Sequence, residues 1–179
     1  MELVEEKQLA ERACAGDEEA FQQLIAAHRR RLYGIAHSYL RSEADALEAL
    51  QETVCRGWLK CGSLREPGTM IPWLIRILMN ICADELKRRK RFQPLFNHES
   101  QTTSEMINDS KLDLQQALAH MKPKYRDVLV LKYYQDMTIP EIARVLDKPE
   151  GTIKTWLYKG LKLMKGKLET GGEVQHGRA

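Results

Sequence analysis

The chain has 179 residues, of which 43% are hydrophobic and 30% are charged, and its net charge at pH 7 is +3. That length allows one domain or two small ones, and the hydrophobic content is sufficient for helical cores. The first residues are charged throughout and no apolar stretch approaches the length of a membrane span, which argues against a signal peptide and a membrane protein, so we expect a cytoplasmic location.

The small net charge conceals an uneven distribution of charge along the chain. Residues 1–60 contain eleven acidic and eight basic residues, a balance of −3, whereas the basic residues concentrate in two later segments. This polarity predicts that a face of the first half contacts a protein, while the basic segments contact nucleic acid.

Helical periodicity runs through the first half of the chain, and strand signals are absent. The predicted fold class is therefore all-α, with two small helical domains, the second of the helix-turn-helix type, joined by a flexible linker. The helices predicted for the first domain are Glu5 to Ala15, Asp17 to Leu40, Glu43 to Leu59 and Pro72 to Arg91.

The last of these helices is amphipathic and ends in five consecutive cations, Lys87 to Arg91. Its predicted inward stripe consists of Leu74, Ile77, Leu78, Ile81 and Leu86. Its opposite face is polar and grades into positive charge through Arg76, Asn80, Asp84, Lys87 and Arg88. Asp84 and Arg88 lie one turn apart and can form an ion pair. Cations at a helix C-terminus are also favoured by the macrodipole, so the run alone does not require a ligand.

The stretch after this helix is rich in Ser, Thr, Asn and acidic residues and lacks helical periodicity, which predicts a linker. Helices are predicted beyond it at 112–120 and 124–134. The predicted organisation is a first domain at 1–92, a linker at 93–111, a second domain at 112–170 and a disordered tail at 171–179.

Residues 138–168 read as two helices joined by a turn of a few residues. Thr138 and Glu141 form a capping-box signature, and Pro140 is tolerated in the first turn. Pro149 suits the first turn of the second helix. The inward face of the second helix is predicted to be Ile153, Leu157, Leu161, Met164 and Leu168, and its outer face Lys154, Thr155, Tyr158, Lys159 and Lys162.

A turn this short makes the two helices cross steeply, which leaves the outer face of the second helix free to enter a DNA major groove. The segment has a charge balance of +4, which suits a phosphate backbone. A solvated helical hairpin with lysines for solubility is the alternative interpretation, but two basic helices on one chain favour nucleic acid.

The four cysteines form no C-x-x-C pair and the five histidines are scattered, so a zinc site is not expected. No phosphate-binding Gly-rich loop, nucleophile elbow or metal-hydrolase motif is present. The sequence therefore predicts neither an enzyme nor a cofactor.

Together these segments resemble the extracytoplasmic-function (ECF) sigma factors of the bacterial sigma-70 family, and the resemblance covers nearly the whole chain. The segment from Gly16 to Leu40 resembles the family's first helices, and DALEALQETVCRGW, from Asp45 to Trp58, resembles its D-A-x-D-x-x-Q-E-x-x-x-x-x-W helix. In the family this helix docks on the clamp coiled coil of the largest subunit of RNA polymerase. The resemblance thus implies a polymerase contact through Asp45, Glu48, Gln51, Glu52 and Arg56, although Leu47 and Ala49 depart from the acidic and bulkier aliphatic residues usual there.

The family motif W-L-x-x-I-x-x-N-x-x-x-D-x-x-R-R, which reads the minus-ten element, matches from Trp73 to Arg88 with lysine at the first arginine. The resemblance implies that this helix holds the separated non-template strand and that a loop at about 60–70 receives a flipped-out base. The residues it implies for minus-ten DNA are Asn80, Asp84, Lys87, Arg88 and Arg91. Among them Asn80 is expected to contact a base and the cations to contact phosphates, whereas Asp84 is as well explained by a structural pair. Trp73 is expected in the core rather than as a stacking platform.

The second helix of the C-terminal pair, GTIKTWLYKGL, resembles the family's minus-thirty-five reader G-T-V-K-S-R-L-x-R-A. The implied DNA contacts are Gly151, Thr152, Lys154, Thr155 and Lys159, with Tyr158 on the same outer face. Trp156 stands where arginine is usual and Gly160 where alanine is usual. Tryptophan can neither bind guanine bidentately nor clamp a phosphate, and glycine weakens a helix by up to ~1 kcal/mol.

The resemblance implies a sigma factor that binds core RNA polymerase and promoter DNA, both double-stranded and as the melted non-template strand, in a stress or envelope response. It also implies an anti-sigma partner, often membrane-anchored. Two alternatives come from the residues alone. An ordinary helix-turn-helix regulator would bind operators as a dimer without joining polymerase, and an adaptor would use its helices only for protein contacts.

Overall fold

In a computed structural model, the protein is described over residues 3–92, 118 and 121–172. Within these ranges all regular secondary structure is helical and no strand occurs, which confirms the predicted all-α class. The chain divides into two compact units, one containing the four helices up to residue 92 and one containing the helices from Pro123 onward except for residues Arg144–Asp147, which belong to the first. The predicted linker at 93–111 and most of the helix predicted at 112–120 lie outside the described residues.

The first unit contains four α-helices that begin and end close to their predicted positions. They are α1 (Leu3–Cys14), α2 (Glu18–Leu40), α3 (Glu43–Cys61) and α4 (Met70–Phe92), with a 3₁₀ turn at Pro67–Thr69 before α4. Helices α2, α3 and α4 contact one another, and α1 packs on α2 and on the 3₁₀ turn.

Short polar side chains set the starts of these helices. The Asp17 carboxylate accepts a hydrogen bond from the Ala20 amide at 3.0 Å and is also bound by the Arg12 guanidinium at 2.6 and 2.9 Å. Both interactions lower the pKa of Asp17, and the hydrogen bond from the Ala20 amide has the larger effect. The Ser42 hydroxyl accepts from the Asp45 amide at 3.3 Å and caps α3 in the same manner.

The core face of α4 differs from the predicted stripe. Leu74 and Leu78 are fully buried as predicted, but Ile75, Met79 and Cys82 complete the buried face, while Ile77, Ile81 and Leu86 are only half-buried. The buried arc is thus rotated by roughly 70° from the predicted one, at 100° per residue. The reason is that α4 packs against α2 and α3 together, so that its position between two neighbours decides which side is covered.

Arg89 joins the ends of three helices in the first unit. Its guanidinium donates to the Leu40 carbonyl at the end of α2 (3.1 Å), to the Asp45 carboxylate at the start of α3, and to Glu85 on α4 (2.9 Å). Arg88 also binds Glu85, at 2.7 and 2.9 Å. These arginines, Arg88 first, hold the pKa of the Glu85 carboxyl below its usual range. The Arg89 contacts are called the Arg89 clasp below.

The second unit contains three α-helices with a π-helical segment between the first two. They are α5 (Pro123–Leu129), the π-helical Val130–Tyr134, α6 (Ile139–Leu146) and α7 (Glu150–Gly172). The predicted helix at 124–134 is therefore present but changes hydrogen-bond register partway. Helix α7 continues to Gly172, within the predicted tail, and the remaining residues of that tail lie outside the described part.

The predicted capping box at the start of α6 is confirmed. Glu141 accepts from the Thr138 amide at 2.7 Å, while the Thr138 hydroxyl accepts from the Glu141 amide at 3.4 Å. At the other end of α6, Asp147 is left-handed with φ 54°, and the Lys148 amide donates to the Ala143 carbonyl at 3.0 Å. That pairing is a Schellman ending, which reverses the chain sharply before α7.

Gly160 has a packing role that its sequence position did not indicate. Helix α7 packs on α5, and a Cβ at Gly160 would lie 3.1 Å from Leu129 Cδ1 and 3.4 Å from the Tyr125 carbonyl oxygen. The close approach offsets the expected loss of helix propensity. It also corrects the predicted inward face of α7: Ile153, Leu157 and Gly160 are buried, Leu161 is 42% exposed and Met164 is half-buried, because α5 covers the side that carries Gly160. The Leu168 side chain lies outside the described part.

A methyl group at Gly57 should destabilise the first unit. Its Cβ would lie 2.5 Å from Leu74 Cδ2 and 3.3 Å from Phe21 Cζ, in a region where Phe21 also packs on Trp58 with ring centroids 5.4 Å apart. We expect Gly57→Ala to lower the unfolding free energy by about 1–3 kcal/mol, as overpacked cores do. Urea denaturation followed by tryptophan fluorescence measures this. Gly166→Ala is the control, since open space surrounds that position, and equal effects would contradict the packing argument.

Removal of the Arg89 clasp should also cost stability. Arg89→Ala leaves the Leu40 carbonyl and the Asp45 carboxylate without this partner, and we expect a loss of about 1–2 kcal/mol in unfolding free energy. Arg91, exposed two residues later, gives the matched control, because Arg91→Ala should change stability by less than about 0.5 kcal/mol. Thermal denaturation of both variants tests the difference, and an equally stable Arg89→Ala protein would refute the role of the clasp.

Candidate polymerase and nucleic-acid interfaces

Four of the five residues predicted to contact polymerase project from one exposed face of α3. Glu48, Gln51, Glu52 and Arg56 are exposed and recur at helical spacing. Glu52 and Arg56 form an ion pair of 2.5 Å. Leu59 continues the stripe with 81% of its surface exposed, a feature that sequence reasoning did not include. A single exposed leucine does not by itself mark a binding surface, because isolated apolar side chains are common on protein surfaces.

Asp45, the fifth residue of this set, lies in a different environment. Its side chain is 34% exposed and its carboxylate belongs to the Arg89 clasp. Because the carboxylate is held from within the protein, Asp45 orients the start of α3 whatever else it contacts.

A groove between α3 and α4 brings the two predicted sites of the first unit together. It has a volume of about 480 Å³. Its walls are Leu40, Asp45, Glu48, Ala49, Gln51, Glu52 and Cys55 with Arg56, Ile81, Asp84, Glu85 and Arg88. The walls carry both acids and arginines beside apolar side chains, and all five residues of the predicted polymerase contact line the groove.

The residues predicted for minus-ten DNA share one exposed face of α4. Asn80, Asp84, Lys87, Arg88 and Arg91 are all exposed and follow the spacing of a single helical face. The expected ion pair within this set is wrong. Asp84 pairs with Lys87 at 3.0 Å, while Arg88 pairs bidentately with Glu85, which lies three residues before it and was not considered.

The ion pair between Lys87 and Asp84 is weak. The Lys87 and Asp84 side chains are 74% and 72% exposed, a setting in which ion pairs contribute about 0–1 kcal/mol. Lys87 can therefore exchange its carboxylate partner for phosphate at little cost, whereas Glu85, the partner of Arg88, is only 21% exposed. Asn80 has no such partner among the described residues and presents an amide that donates and accepts.

The segment before α4 is well structured. Helix α3 ends at Cys61, and the 3₁₀ turn is closed by the Thr69 amide and hydroxyl, which donate to the Glu66 carbonyl at 2.9 and 2.7 Å. These features lie in the segment at 60–70, which the resemblance assigns to a flipped-out base. Trp73, expected in the core, is half-buried at the start of α4, so part of its ring remains accessible.

The residues predicted for minus-thirty-five DNA form the outer face of α7. Gly151, Lys154, Thr155, Tyr158 and Lys159 are exposed and Thr152 is half-buried. Tyr158 exposes 71% of its surface. The Thr155 hydroxyl donates to the Gly151 carbonyl at 2.9 Å, which leaves its oxygen free to accept.

Trp156 lies on the flank of α7 rather than on this outer face. Its ring is half-buried, and the Lys124 ammonium lies 5.8 Å from its centroid and 5.1 Å from that of Tyr125. Such cation–aromatic contacts are favourable by about 0.5–1 kcal/mol at exposed sites. The tryptophan thus brings a cation from α5 to the edge of the outer face, which the sequence alone did not reveal.

No helix in the described part of the chain is both long and apolar enough to cross a membrane.

Comparison with known proteins identifies both units. The family model described as Sigma-70 region 2 matches residues 24–92, and the model described as Sigma-70, region 4 matches residues 111–164. The structure of CnrH in complex with the cytosolic domain of CnrY aligns with a TM-score of 0.70 at 24% identity, and covers 93% of this chain and 98% of that chain. At that identity the likeness shows the fold.

Two relatives extend the match across most of the chain. RNA polymerase sigma factor SigV of Bacillus subtilis (strain 168) is 29% identical over 143 residues, which is 79% of this chain and 86% of the relative. ECF RNA polymerase sigma factor SigM of Mycobacterium tuberculosis (strain ATCC 25618 / H37Rv) is 31% identical over 166 residues, which is 90% of this chain and 85% of the relative. The chain therefore belongs to the ECF RNA polymerase sigma factors.

Proposed function

We propose that this sigma factor binds core RNA polymerase through α3, holds the melted minus-ten element on α4 and anchors the minus-thirty-five element with α7. The observation that carries the proposal is that most residues of each predicted contact set lie on one exposed helical face, with Asp45 and Thr152 as the partly buried exceptions. In this role the chain recruits core polymerase to promoter DNA and positions it there, and the polymerase performs the catalysis. Since bacterial transcription takes place in the cytoplasm, the same role implies a cytoplasmic location.

The polymerase contact is assigned to the stripe from Glu48 to Leu59 on α3. The exposed Leu59 lies at one end of this stripe, one turn beyond Arg56, and would add an apolar contact to the charged ones. Asp45 takes part by fixing the start of the helix through the Arg89 clasp.

The minus-ten contact is assigned to the exposed face of α4. Asn80 would read a base of the separated strand, while Lys87, Arg88 and Arg91 would hold phosphates. Asp84 keeps Lys87 in place until DNA arrives. Capture of the open strand shifts the equilibrium between paired and melted DNA, so opening requires no nucleotide hydrolysis by the sigma factor.

The minus-thirty-five contact is assigned to α7 in the major groove. Lys154 and Lys159 carry charge, Thr155 offers an acceptor, and the start of α7 presents free amides to phosphate. We assign the polymerase and minus-ten contacts to residues 1–92 and the minus-thirty-five contact to residues 112–170. A linker at 93–111 joins the two, and residues 171–179 form a tail.

We further propose an anti-sigma partner that covers these faces until a stress or envelope signal arrives. The aligned structures include CnrH with the cytosolic domain of CnrY and RpoE with the anti-sigma factor NepR, the latter at a TM-score of 0.61 and 20% identity. By the family resemblance, such a partner is often anchored in the membrane.

The direct test is transcription by core polymerase with and without the purified protein, from fragmented host genomic DNA, with sequencing of the transcript starts. We expect discrete starts that share two upstream elements. Tight duplex binding without polymerase-dependent initiation would instead indicate an ordinary helix-turn-helix regulator and overturn the proposal.

Asn80→Ala should separate promoter opening from polymerase association. The variant should bind core polymerase as well as wild type but yield about tenfold fewer open complexes, which corresponds to one good base contact of 1–3 kcal/mol. Permanganate reactivity of melted thymines measures opening, and a core-binding competition assay measures association. The converse control is Glu48→Ala, which should weaken association first. Equal loss of both activities in Asn80→Ala would refute its role as a base reader.

Lys154→Ala should weaken binding at the minus-thirty-five element. Loss of one phosphate contact should reduce the salt dependence of promoter binding, as the slope of log K against log[salt], by about 0.9. The matched control is Lys122→Ala, which removes an equally exposed lysine from outside the proposed face. Wild-type affinity and slope in Lys154→Ala would exclude this contact.

A further inference from the structure

The exposed face of α2 carries a basic and aromatic stripe that none of the proposed contacts uses. Arg29, Arg30 and His37 are exposed and Tyr33 is half-buried, and their spacing puts them on one side of the helix. The Tyr33 and His37 rings are stacked with centroids 5.7 Å apart and an interplanar angle of 27°. These four residues are called the α2 stripe.

The positive charge of the α2 stripe is not explained by the helix itself. Arg29 and Arg30 lie in the middle of α2, which runs from Glu18 to Leu40, so the macrodipole at the helix end does not account for them. No carboxylate stands three or four residues from either arginine in the sequence. Neither arginine forms an ion pair within the described residues.

Several other exposed cations of the first unit are compensated, whereas Lys60, Arg65 and Arg91 form no ion pair within the described residues. Lys7 pairs with Glu11, Arg56 with Glu52, and Lys87 with Asp84, each within one helical turn. Arg29 and Arg30 are therefore two adjacent guanidinium groups whose charge is balanced only by solvent and by what binds there. Guanidinium suits phosphate, because its planar donors match the phosphate oxygens.

The α2 stripe also lies on the helix whose end meets the basic end of α4. Arg89 donates to the Leu40 carbonyl, so the last turn of α2 adjoins the run that begins at Lys87. The positive surface of α4 can thus continue along α2. The stripe lacks the apolar centre usual in a protein interface: among the described residues, the large exposed apolar side chains of this unit are Val4 and Leu59, and neither lies on α2.

We propose that the α2 stripe binds the phosphate backbone of promoter DNA and extends the minus-ten contact of α4 along α2. This inference rests on the proposed function, since it requires a chain that carries promoter DNA on the first unit. Arg29 and Arg30 hold phosphates. The Tyr33 and His37 rings, which stack on each other, lie beside the two arginines on the same side of the helix.

The test compares holoenzymes assembled from core polymerase with wild-type protein or with Arg29→Ala/Arg30→Ala. The probe is a promoter fragment found by start-site mapping, offered as a duplex and with its minus-ten segment opened by mismatches. We expect the slope of log K against log[salt] to fall by about 2 in the double variant, at roughly 0.9 per phosphate contact. The two forms of the fragment distinguish a duplex backbone from a single strand as the source of the phosphates.

Two control variants separate charge from side-chain loss. Arg29→Lys/Arg30→Lys should retain most of the slope, because the charge remains. Gln22→Ala/Gln23→Ala removes two exposed side chains from the same helix without changing its net charge and should behave as wild type. Thermal denaturation of each variant verifies that the fold is intact.

An unchanged slope in Arg29→Ala/Arg30→Ala would overturn the inference, and so would a loss of association with core polymerase, which would make the stripe a protein contact. If the wild-type holoenzyme initiates at the mapped start while the double variant binds equally well, only this inference fails. If the wild-type holoenzyme does not initiate, the proposed function fails instead.

Discussion

The Arg89 clasp is the interaction on which the geometry of the first unit depends. Helix ends leave carbonyl groups without intrahelical partners, and the Leu40 carbonyl at the end of α2 accepts a hydrogen bond from Arg89 instead. The same guanidinium holds Asp45 at the start of α3 and Glu85 on α4. Lysine could not reproduce this arrangement, because a compact ammonium lacks the planar fork of donors that reaches several acceptors at fixed angles. The clasp thereby sets the angle between the α3 face proposed for polymerase and the α4 face proposed for DNA.

This role divides the basic run at the end of α4 into residues with different duties. Arg89 is half-buried and fully engaged within the protein, so it is withheld from DNA. Lys87 is paired with an exposed carboxylate, Asp84, which solvent screens, so phosphate can replace that partner cheaply. Arg88 is exposed as well, but its partner Glu85 is only 21% exposed. Loss of the Arg89 contacts would leave buried and half-buried acceptors without a partner and would cost more free energy than loss of the exposed ion pair of Lys87. The fold is therefore preserved when Lys87 changes partner.

Much of the fold was predictable because its determinants are local. Apolar spacing located the helices, and the Thr138 and Glu141 signature located the start of α6 within a residue. One failure depends on neighbours distant in sequence, and another on a choice between two nearby carboxylates. The buried arc of α4 is set by packing between α2 and α3, and the partner of Arg88 is chosen by rotamers rather than by spacing. For the candidate site, helical spacing predicted which residues share a face, but it could not show that Asp45 is held from within or that Thr152 is half-buried.

In the second unit, Trp156 and Gly160 depart from the family pattern without changing the outer face of α7, which we propose contacts DNA. Trp156 and Gly160 are one turn apart on the side of α7 that faces α5, not on the face of Lys154 and Thr155. Glycine lets the two helices approach until Leu129 fills the space that a methyl group would need, and the tryptophan ring then lies beneath Lys124. The arginine usual at this position would place its charge on that flank, whereas here the charge comes from α5 across the ring. The substitutions therefore alter which helix supplies the flanking cation, while the outer face of α7 keeps the side chains that we propose contact the major groove.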